Sequence, residues 1–415
     1  MIYRKALQKT TVAAMLDFGS RAMPIYFSLL WLFVAPVTSQ TVCPTQCACR
    51  DVTVDCRLRS LSSVADIAHL LPPEVEELDL GDNEAIIAAN RTSFPLLTRV
   101  RRLRMDGCRL RRIESRTFEH LRMSLELLDL SGNSIRTLDR GAFDGLASLR
   151  RLRLDDNRLT GAGLPDSAFR GLSLSELRLD SNRINSLSSS VFVDSGITSL
   201  NLDDNELSLI DGASFGPLQR TLRSLGISRN RQQILRITAN AFHNFMFRDL
   251  ALAASGLRSL SFLENLASVE VLDVGGNPLG TIQLSWSSGV ALSCREARLA
   301  AINLTSVVDA QLSSFRSASR LDLSANRISG KQKYLDIIYL RASISWLSID
   351  RLYVYPLPSL GVHKLESARV ALSLPSCPCH VQFLIQCWRG RGRFTGVSRC
   401  TPWLRYRTTL FSLRA

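Results

Sequence analysis

Cysteine is the residue type whose spacing in this chain most clearly implies chemistry. Ten cysteines are present, and eight fall into two groups, within residues 43–56 and within residues 377–400. Closely spaced cysteines form disulfides in an oxidising compartment or a zinc site in a reducing one. The compartment therefore decides between the two. The eight residues are Cys43, Cys47, Cys49, Cys56, Cys377, Cys379, Cys387 and Cys400.

The beginning of the chain indicates the compartment. Residues 25–35, IYFSLLWLFVA, form an apolar run after Arg21, and Val37, Thr38 and Ser39 supply small residues for cleavage before Gln40. A membrane-spanning helix needs about 20 apolar residues, so this run is too short to be one. We predict a signal peptide over residues 1–39, a secreted or cell-surface location, disulfides rather than zinc, and no membrane span in the chain.

Histidine offers no catalytic arrangement. Five histidines stand alone, outside any HExxH motif or Cys/Asp arrangement, and no glycine-rich phosphate loop is present. We therefore expect no enzymatic activity, no catalytic residues, no cofactor and no metal site. The five are His69, His120, His243, His363 and His380.

Leucine spacing predicts the elements that position the other side chains. Residues 125–146, LELLDLSGNSIRTLDRGAFDGL, read L-x-x-L-x-L-x-x-N. Leu128 and Leu130 alternate as on a short strand, and Asn133 turns the chain, its amide able to bond unpaired backbone groups. Similar units recur every 22–25 residues. The eleven turn positions are Asn83, Cys108, Asn133, Asn157, Asn182, Asn205, Asn230, Ser255, Asn277, Ile302 and Asn326.

The recurring unit is a leucine-rich repeat, which cannot bury its own leucines and needs neighbours on both sides. We predict an α/β-class solenoid over residues 75–328, a horseshoe with short parallel strands on the concave face and loops or short helical turns on the convex face. Cys108 is expected to be a buried free thiol. Ser255 and Ile302 depart from the consensus, and we expect local distortion around them. Seven phenylalanines are assigned to the core, namely Phe94, Phe118, Phe143, Phe169, Phe192, Phe215 and Phe242.

The two cysteine groups resemble the terminal caps of extracellular leucine-rich repeat proteins. Residues 40–74 contain the spacing C-x3-C-x-C-x6-C and resemble the N-terminal cap found in Slit, which implies Cys43–Cys49 and Cys47–Cys56 pairs. Residues 375–415 resemble part of the C-terminal cap but lack its asparagine-proline-aromatic lead-in, and we expect Cys377–Cys400 and Cys379–Cys387 pairs there. Residues 329–374 lose the repeat register, either as a degenerate repeat with an insertion or as translated non-coding sequence.

The resemblance implies adhesion, guidance or receptor recognition without catalysis, as in Slit, connectin-like adhesion molecules, Toll-type ectodomains and small leucine-rich proteoglycans. We predict that the concave face binds an extracellular protein ligand or receptor. The alternatives are a receptor ectodomain lacking its membrane segment and a matrix protein that binds collagen or glycosaminoglycan. The predicted ligand-binding residues are Arg150, Arg151, Arg153, Asp155, Arg178, Asp180 and Asp203. Alternatively, these charges merely neutralise one another.

Arginine is abundant, with 51 Lys plus Arg against 37 Asp plus Glu and a net charge of +14. Guanidinium groups grip sulfate and phosphate, so heparan sulfate or another glycosaminoglycan is a second predicted partner, and nucleic acid is not expected outside the cell. A solvated face is the alternative. The predicted polyanion-binding residues are Arg99, Arg101, Arg102, Arg104, Arg109, Arg111, Arg112, Arg389, Arg391 and Arg393. Asn90 and Asn303 lie in N-x-S/T sequons and are predicted glycosylation sites.

Overall fold

The computed structural model describes residues 43–94, 97–230, 234–280, 294–305, 315 and 318–327, and the backbone of 346–348 and 369–370. The predicted signal peptide, the C-terminal cysteine group with Arg389, Arg391 and Arg393, and two histidines, His363 and His380, lie outside the described residues.

One sheet of fifteen short strands forms the concave side of the solenoid. Neighbouring strands are parallel from Thr53–Asp55 to Trp346–Ser348, and the first and last described pairs are antiparallel. The strands are Ala48–Arg50, Thr53–Asp55, Glu77–Asp79, Arg102–Arg104, Leu127–Asp129, Arg151–Arg153, Glu176–Arg178, Ser199–Asn201, Ser224–Gly226, Met246–Ala251, Ser268–Asp273, Glu296–Arg298, Arg320–Asp322, Trp346–Ser348 and Arg369–Val370.

Alternation along each strand separates the core from the concave surface. In the strand Arg151–Arg153, Leu152 is fully buried, while the arginines on either side face outward. Leu128, Leu152 and Leu177 lie in register in neighbouring strands. The leucine pattern therefore builds one continuous core beneath the sheet, and this confirms the predicted horseshoe of parallel strands.

The side chain of each turn asparagine binds its own coil and the preceding coil. The amide of Asn157 donates to Leu130 O at 2.9 Å, Leu154 O at 3.2 Å and Asp155 O at 3.1 Å, and its Oδ1 accepts from Ile135 N–H at 3.0 Å. Because these backbone groups are buried, the asparagine column satisfies donors and acceptors that the turns leave unpaired. Equivalent bonds are made by Asn83, Asn133, Asn182, Asn205, Asn230, Asn277 and Asn326.

The expected distortion at Ser255 and Ile302 is wrong for the sheet. The register runs unbroken from Ala251 through Asp273 to Arg298 and Asp322. Ser255 keeps the ladder intact because its hydroxyl donates to Ile227 O at 2.8 Å and to Ala253 O at 3.2 Å. Ile302 is buried, and its N–H donates to Asn326 Oδ1 at 3.0 Å.

Cys108 also replaces an asparagine and is a buried, unpaired thiol. Its Sγ lies 3.4 Å from Leu80 O, the same kind of acceptor that the asparagines use. Burial raises the pKa of this thiol to about 11, so it stays protonated at neutral pH. Cys294 is buried in the same way.

The convex side is filled by stacked aromatic rings. From Phe94 to Phe242, successive rings are stacked with centroids 5.8–6.4 Å apart and are fully buried. At Phe242 the arrangement changes, because Phe245, Phe247 and Phe262 meet this ring edge-on.

Short 3-10 helices on this side span Glu119–Leu121, Gly161–Gly163, Gly216–Leu218 and Ser261–Asn265. Small two-stranded sheets pair Arg112–Ile113 with Thr137–Leu138, Ser173–Leu174 with Gly196–Ile197, and Leu209–Ile210 with Arg236–Ile237.

The N-terminal cap covers the first coil. Disulfides join Cys43 to Cys49 and Cys47 to Cys56, the pairing that the family resemblance implies. The α-helix Ala65–Ala68 follows, with Ile67 fully buried against the core. Among the described residues, no helix is long and apolar enough to cross a membrane.

Two described strands, Trp346–Ser348 and Arg369–Val370, lie within the segment in which the sequence register is lost. The backbone of Trp346–Ser348 pairs in parallel with Arg320–Asp322, with Leu347 opposite Leu321. A parallel strand in register is what a further repeat contributes to such a sheet.

Candidate protein-binding surface

The concave surface is built from residues that flank the strand leucines. The column directly after these leucines lies in backbone register across the first eight repeats. It consists of Asp79, Arg104, Asp129, Arg153, Arg178, Asn201, Gly226 and Ala251. Because neighbouring strands lie about 4.8 Å apart, long side chains in this column reach those of the next repeat. The predicted patch occupies repeats 4–6, the coils whose turn residues are Asn157, Asn182 and Asn205.

Arg178 is the central cation of this patch. Its Nε donates to Asp180 Oδ1 at 3.1 Å and its Nη2 to Asp180 Oδ2 at 2.9 Å, while Nη2 lies 3.5 Å from Asp155 Oδ2. The hydrogen bonds to Asp180 raise the pKa of Arg178, with both carboxylates contributing. The guanidinium is therefore always charged and fixed between two repeats.

Asp155 and Arg153 retain unused hydrogen-bonding capacity. Arg153 Nη1 lies 3.3 Å from the buried Asp129, yet its Nε has no hydrogen-bond partner, and neither has Asp155 Oδ1. Burial raises the pKa of Asp155; Arg178 opposes this rise, whereas the negative charges of Asp180 and Asp129 add to it. These atoms are the polar groups of the patch that the chain satisfies least.

Asp203 closes the patch at repeat 6. Its Oδ1 accepts from Ser228 N–H at 2.6 Å, and Arg229 Nη2 lies 3.6 Å from its Oδ2 and 2.7 Å from Asp204. Burial is the main cause of the raised pKa of Asp203. Sequence reasoning missed Arg229 because it occupies the turn just before Asn230, outside the alternating columns.

Arg150 and Arg151 lie on the strand-entry side of the patch and are exposed. Arg150 Nη1 donates to Ser173 O at 3.1 Å. Arg151 opens its strand between Leu127 and Glu176. Arg151 belongs to a third outward column, whose members lie two residues before those of the column from Asp79 to Ala251. Alternation along the strands predicts this column, but the sequence analysis did not consider it. Its charged members in the described repeats are Glu77, Arg102, Arg151, Glu176, Asp249, Glu296 and Arg320.

Opposite charges are paired over most of the concave face. Arg57 in the cap lies 3.6 Å from Asp79, 2.7 Å from Asp82 and 2.9 Å from Asp106, and sequence reasoning missed it. Arg104 lies 3.7 Å from Asp79. The charge columns thus neutralise one another to a large extent, as the alternative interpretation expects. Neutralisation fixes the side chains in place but does not remove them from the surface.

The predicted polyanion-binding run from Arg99 to Arg112 does not form one surface. Arg102 and Arg104 lie in the concave sheet, whereas Arg112 lies in a separate two-stranded sheet after the turn. One repeat of 25 residues wraps a whole coil, so neighbours in sequence point to different sides. Five of the seven arginines also form ion pairs with acids: Arg101 with Glu76 and Glu126, Arg102 with Glu77, Arg104 with Asp79, Arg109 with Glu84 and Arg112 with Asp139.

Other predicted residues lie away from the patch. Asn90 and Asn303 are exposed, as glycosylation requires. The described histidines, His69, His120 and His243, are exposed as well. Within the described ranges, no group of three or more His, Cys, Asp or Glu side chains is arranged to hold a metal ion.

The family model described as "Leucine rich repeat" matches residues 98–159 and 173–231. These ranges contain six concave strands, from Arg102–Arg104 to Ser224–Gly226, five turn asparagines and four of the stacked rings, Phe118, Phe143, Phe192 and Phe215. The chain is a leucine-rich repeat protein. Its disulfide-bonded N-terminal cap groups it with the extracellular members of the family.

Curated relatives of this leucine-rich repeat protein agree with that grouping. It is 30% identical over 212 residues to the orangutan (Pongo abelii) transforming growth factor beta activator LRRC32, covering 49% of this chain and 32% of the relative. It is 28% identical to human leucine-rich repeat transmembrane protein FLRT2, covering 46% of this chain and 28% of the relative. Drosophila melanogaster chaoptin is 26% identical, with 49% and 16% covered. The chain thus spans a third or less of the length of these relatives.

A solved structure supports the fold. A chain from the octameric complex of Latrophilin 3, Unc5D and FLRT2, whose FLRT2 part is its leucine-rich repeat domain, superposes with a TM-score of 0.52 at 21% identity. The match covers 76% of this leucine-rich repeat protein and 86% of the other chain.

Proposed function

We propose that this protein is a non-enzymatic, extracellular binding protein, which recognises a protein ligand through the concave face of repeats 4–6 and acts in adhesion, guidance or receptor recognition. The observation that carries the proposal is the fixed lattice of Arg153, Asp155, Arg178, Asp180 and Asp203 on a continuous sheet. Hydrogen bonds from the asparagine column fix its backbone at the turns that follow the strands. Binding would therefore cost little ordering entropy.

The lattice suits a folded protein better than a polymer of one charge. Positive and negative side chains alternate within one or two repeats, and each sign is held at a defined position. A complementary protein surface can match such a pattern, which gives specificity and orientation more than raw affinity. A polyanion would be repelled by Asp155, Asp180 and Asp203.

The relatives supply supporting analogies. FLRT2 has been solved in a complex with Latrophilin 3 and Unc5D, and LRRC32 is named as an activator of transforming growth factor beta. An extracellular leucine-rich repeat chain that acts through protein partners would be typical of this group. The partner of this chain is left open by the proposal, which concerns the face that binds it.

Binding of the full chain to cells tests the proposal. Binding should survive enzymatic removal of heparan sulfate and moderate salt, and it should be lost when surface proteins are digested. The triple variant R153A/R178A/D180A should lose this binding while remaining folded and secreted. A matched control is R140A/R170A/D194A, which removes the same charges from exposed ion pairs beside the convex phenylalanines.

The control should bind as the unmodified chain does. Undiminished binding of the concave triple variant would rule out the assigned face. Binding that disappears only on heparan sulfate removal would rule out a protein ligand as the main partner.

A further inference from the structure

Four exposed arginines form a row on the side of the solenoid that follows the turn asparagines. They are Arg111, Arg136, Arg158 and Arg183, one from each of repeats 2–5, and we name them the lateral arginine ladder. Arg136 N–H donates to Arg111 O at 3.0 Å. Arg158 N–H donates to Ile135 O at 2.9 Å, and Arg183 N–H to Leu159 O at 2.8 Å. Each ladder arginine therefore lies on the coil next to the previous one.

The side chains of the ladder are held outward by the residues beside them. Each arginine adjoins a fully buried aliphatic residue, namely Leu110, Ile135, Leu159 or Ile184. Alternation on extended backbone directs the aliphatic side chain into the core and the arginine into solvent. Neighbouring coils lie about 4.8 Å apart, so the first and last arginines of the ladder, which are separated by three such steps, lie about 15 Å from each other.

The ladder differs from the concave face in that its arginines are not ion-paired within the described residues, although Glu206 occupies the next coil after Arg183, with its N–H donating to Ile184 O at 3.0 Å. None of the four arginines forms an ion pair with a described residue. The acids close to them in the chain are already engaged, because Glu84 binds Arg109 and Asp139 binds Arg112. Asp156 lies at the turn before Arg158 and makes no ion pair with it among the described side chains. Four positive charges are thus left uncompensated in a row.

We infer that the lateral arginine ladder binds a sulfated linear polysaccharide along repeats 2–5. Guanidinium groups on four successive coils can meet the repeating anionic groups of an extended chain, and each fork can grip a sulfate bidentately. This surface is separate from the concave patch proposed to bind protein. It includes Arg111 from the arginine-rich run but otherwise consists of residues that the run does not contain.

An acidic protein is a less suitable occupant of the ladder. The ladder presents charges of one sign on successive coils, whereas the concave patch that we propose to bind protein holds positive and negative side chains at defined positions. The residues interleaved with the arginines on this side are polar, among them Ser134 and Thr160. The predicted glycans at Asn90 and Asn303 belong to repeats 1 and 10 and leave repeats 2–5 uncovered.

Heparin affinity of the full chain tests this inference. The ladder variant R111Q/R136Q/R158Q/R183Q is compared with the control R220Q/R236Q/R258Q/R295Q. The control removes the same charge from exposed arginines of repeats 6, 7, 8 and 10 that form no ion pair with a described residue. We expect the ladder variant to bind heparin at least tenfold more weakly and the control less than twofold.

The salt dependence adds a second readout. Each lost guanidinium–anion contact should lower the slope of log K against log salt by about one, so the ladder variant should lose about three to four units. Affinity for heparin fragments should rise with length until a fragment spans the ladder. Equal losses in both variants would overturn the inference, because they would show a general charge effect. Unchanged heparin affinity of the ladder variant would also overturn the inference. If the same variant no longer bound cells stripped of heparan sulfate, the ladder would contact a protein partner instead.

Discussion

Arg178 holds Asp180 through two parallel hydrogen bonds, Nε to Oδ1 at 3.1 Å and Nη2 to Oδ2 at 2.9 Å. The same guanidinium reaches Asp155 on the previous repeat at 3.5 Å. One cation therefore links carboxylates from two coils, and a change at any of the three residues alters the electrostatics of both repeats. The concave patch behaves as a coupled unit and not as separate ion pairs.

Asp155 should make stability depend on pH. Its pKa is raised, mainly by burial, so the folded protein binds this proton more tightly than the unfolded chain does. Ionisation of Asp155 then lowers the free energy of unfolding as pH rises through the window above the ordinary value of 3.8. The free energy of unfolding of Asp155→Asn should therefore exceed that of the unmodified chain by more at pH 7 than at pH 3.

Chemical denaturation of both proteins at pH 3, 5 and 7 measures this difference. Asp156→Asn, at the exposed neighbouring position, controls for the loss of one negative charge. If the stability difference between Asp155→Asn and the unmodified chain is the same at all three pH values, the buried carboxylate is not the source.

Replacing Asn157 by Ala should destabilise the array. The side chain makes four hydrogen bonds to buried backbone groups of two coils, and alanine leaves those groups unpaired. An unsatisfied buried polar group costs about 1–3 kcal/mol, so a loss of at least that size in the free energy of unfolding is expected. Thermal or denaturant unfolding measures it. Asn185→Ala, at an exposed position, should change stability by less than about 0.5 kcal/mol.

Phe169→Ala should remove the middle of the aromatic stack. The Phe169 ring lies 6.4 Å from that of Phe143 and 5.8 Å from that of Phe192, and the residue is fully buried. Phenylalanine-to-alanine changes in cores cost about 3–5 kcal/mol. Denaturant unfolding should show such a loss, with a smaller one for Phe169→Leu, which fills part of the cavity. Equal losses for the two variants would argue against cavity formation as the cause.

Cys56→Ser should weaken the N-terminal cap. Cys56 is fully buried and bonded to Cys47, and removing a native disulfide costs about 2–5 kcal/mol. Secretion and the melting temperature should both fall. Cys108→Ser replaces a buried thiol that forms no disulfide and provides the matched control. If both variants were secreted equally well, the cap disulfide would contribute little to folding.

The regular parts of the fold could be predicted because each residue's role depends on its place in one repeating unit. Leu152 is buried and Arg153 faces outward because strands alternate, and Asn157 turns the chain because its amide reaches buried carbonyls. The same logic assigned the stacked phenylalanines to the core. It failed at Ser255, because a hydroxyl can donate to the same kind of carbonyl as an amide.

The candidate sites were less predictable because they depend on contacts between coils. Arg229 and Arg57 pair with concave aspartates from a turn and from the cap, positions to which the repeat pattern assigns no role. The arginine-rich run is divided between surfaces for a related reason. Adjacent residues of one coil point to different sides, whereas residues about 25 positions apart share a surface. Reading the sequence in columns finds the lateral ladder only as two pairs, because Arg111 and Arg136 lie three residues after their turn positions and Arg158 and Arg183 lie one residue after theirs.

The edge-on contacts of Phe242 have an evolutionary consequence. In repeats 1–6 each ring stacks only on equivalent rings, so a whole repeat could be duplicated or deleted by recombination and the join would still fit. Phe242 instead meets three different phenylalanines that belong to no common column. A crossover there would leave rings without their partners. We expect natural length variation among close homologues to be concentrated before Phe242 and to be rare across this junction.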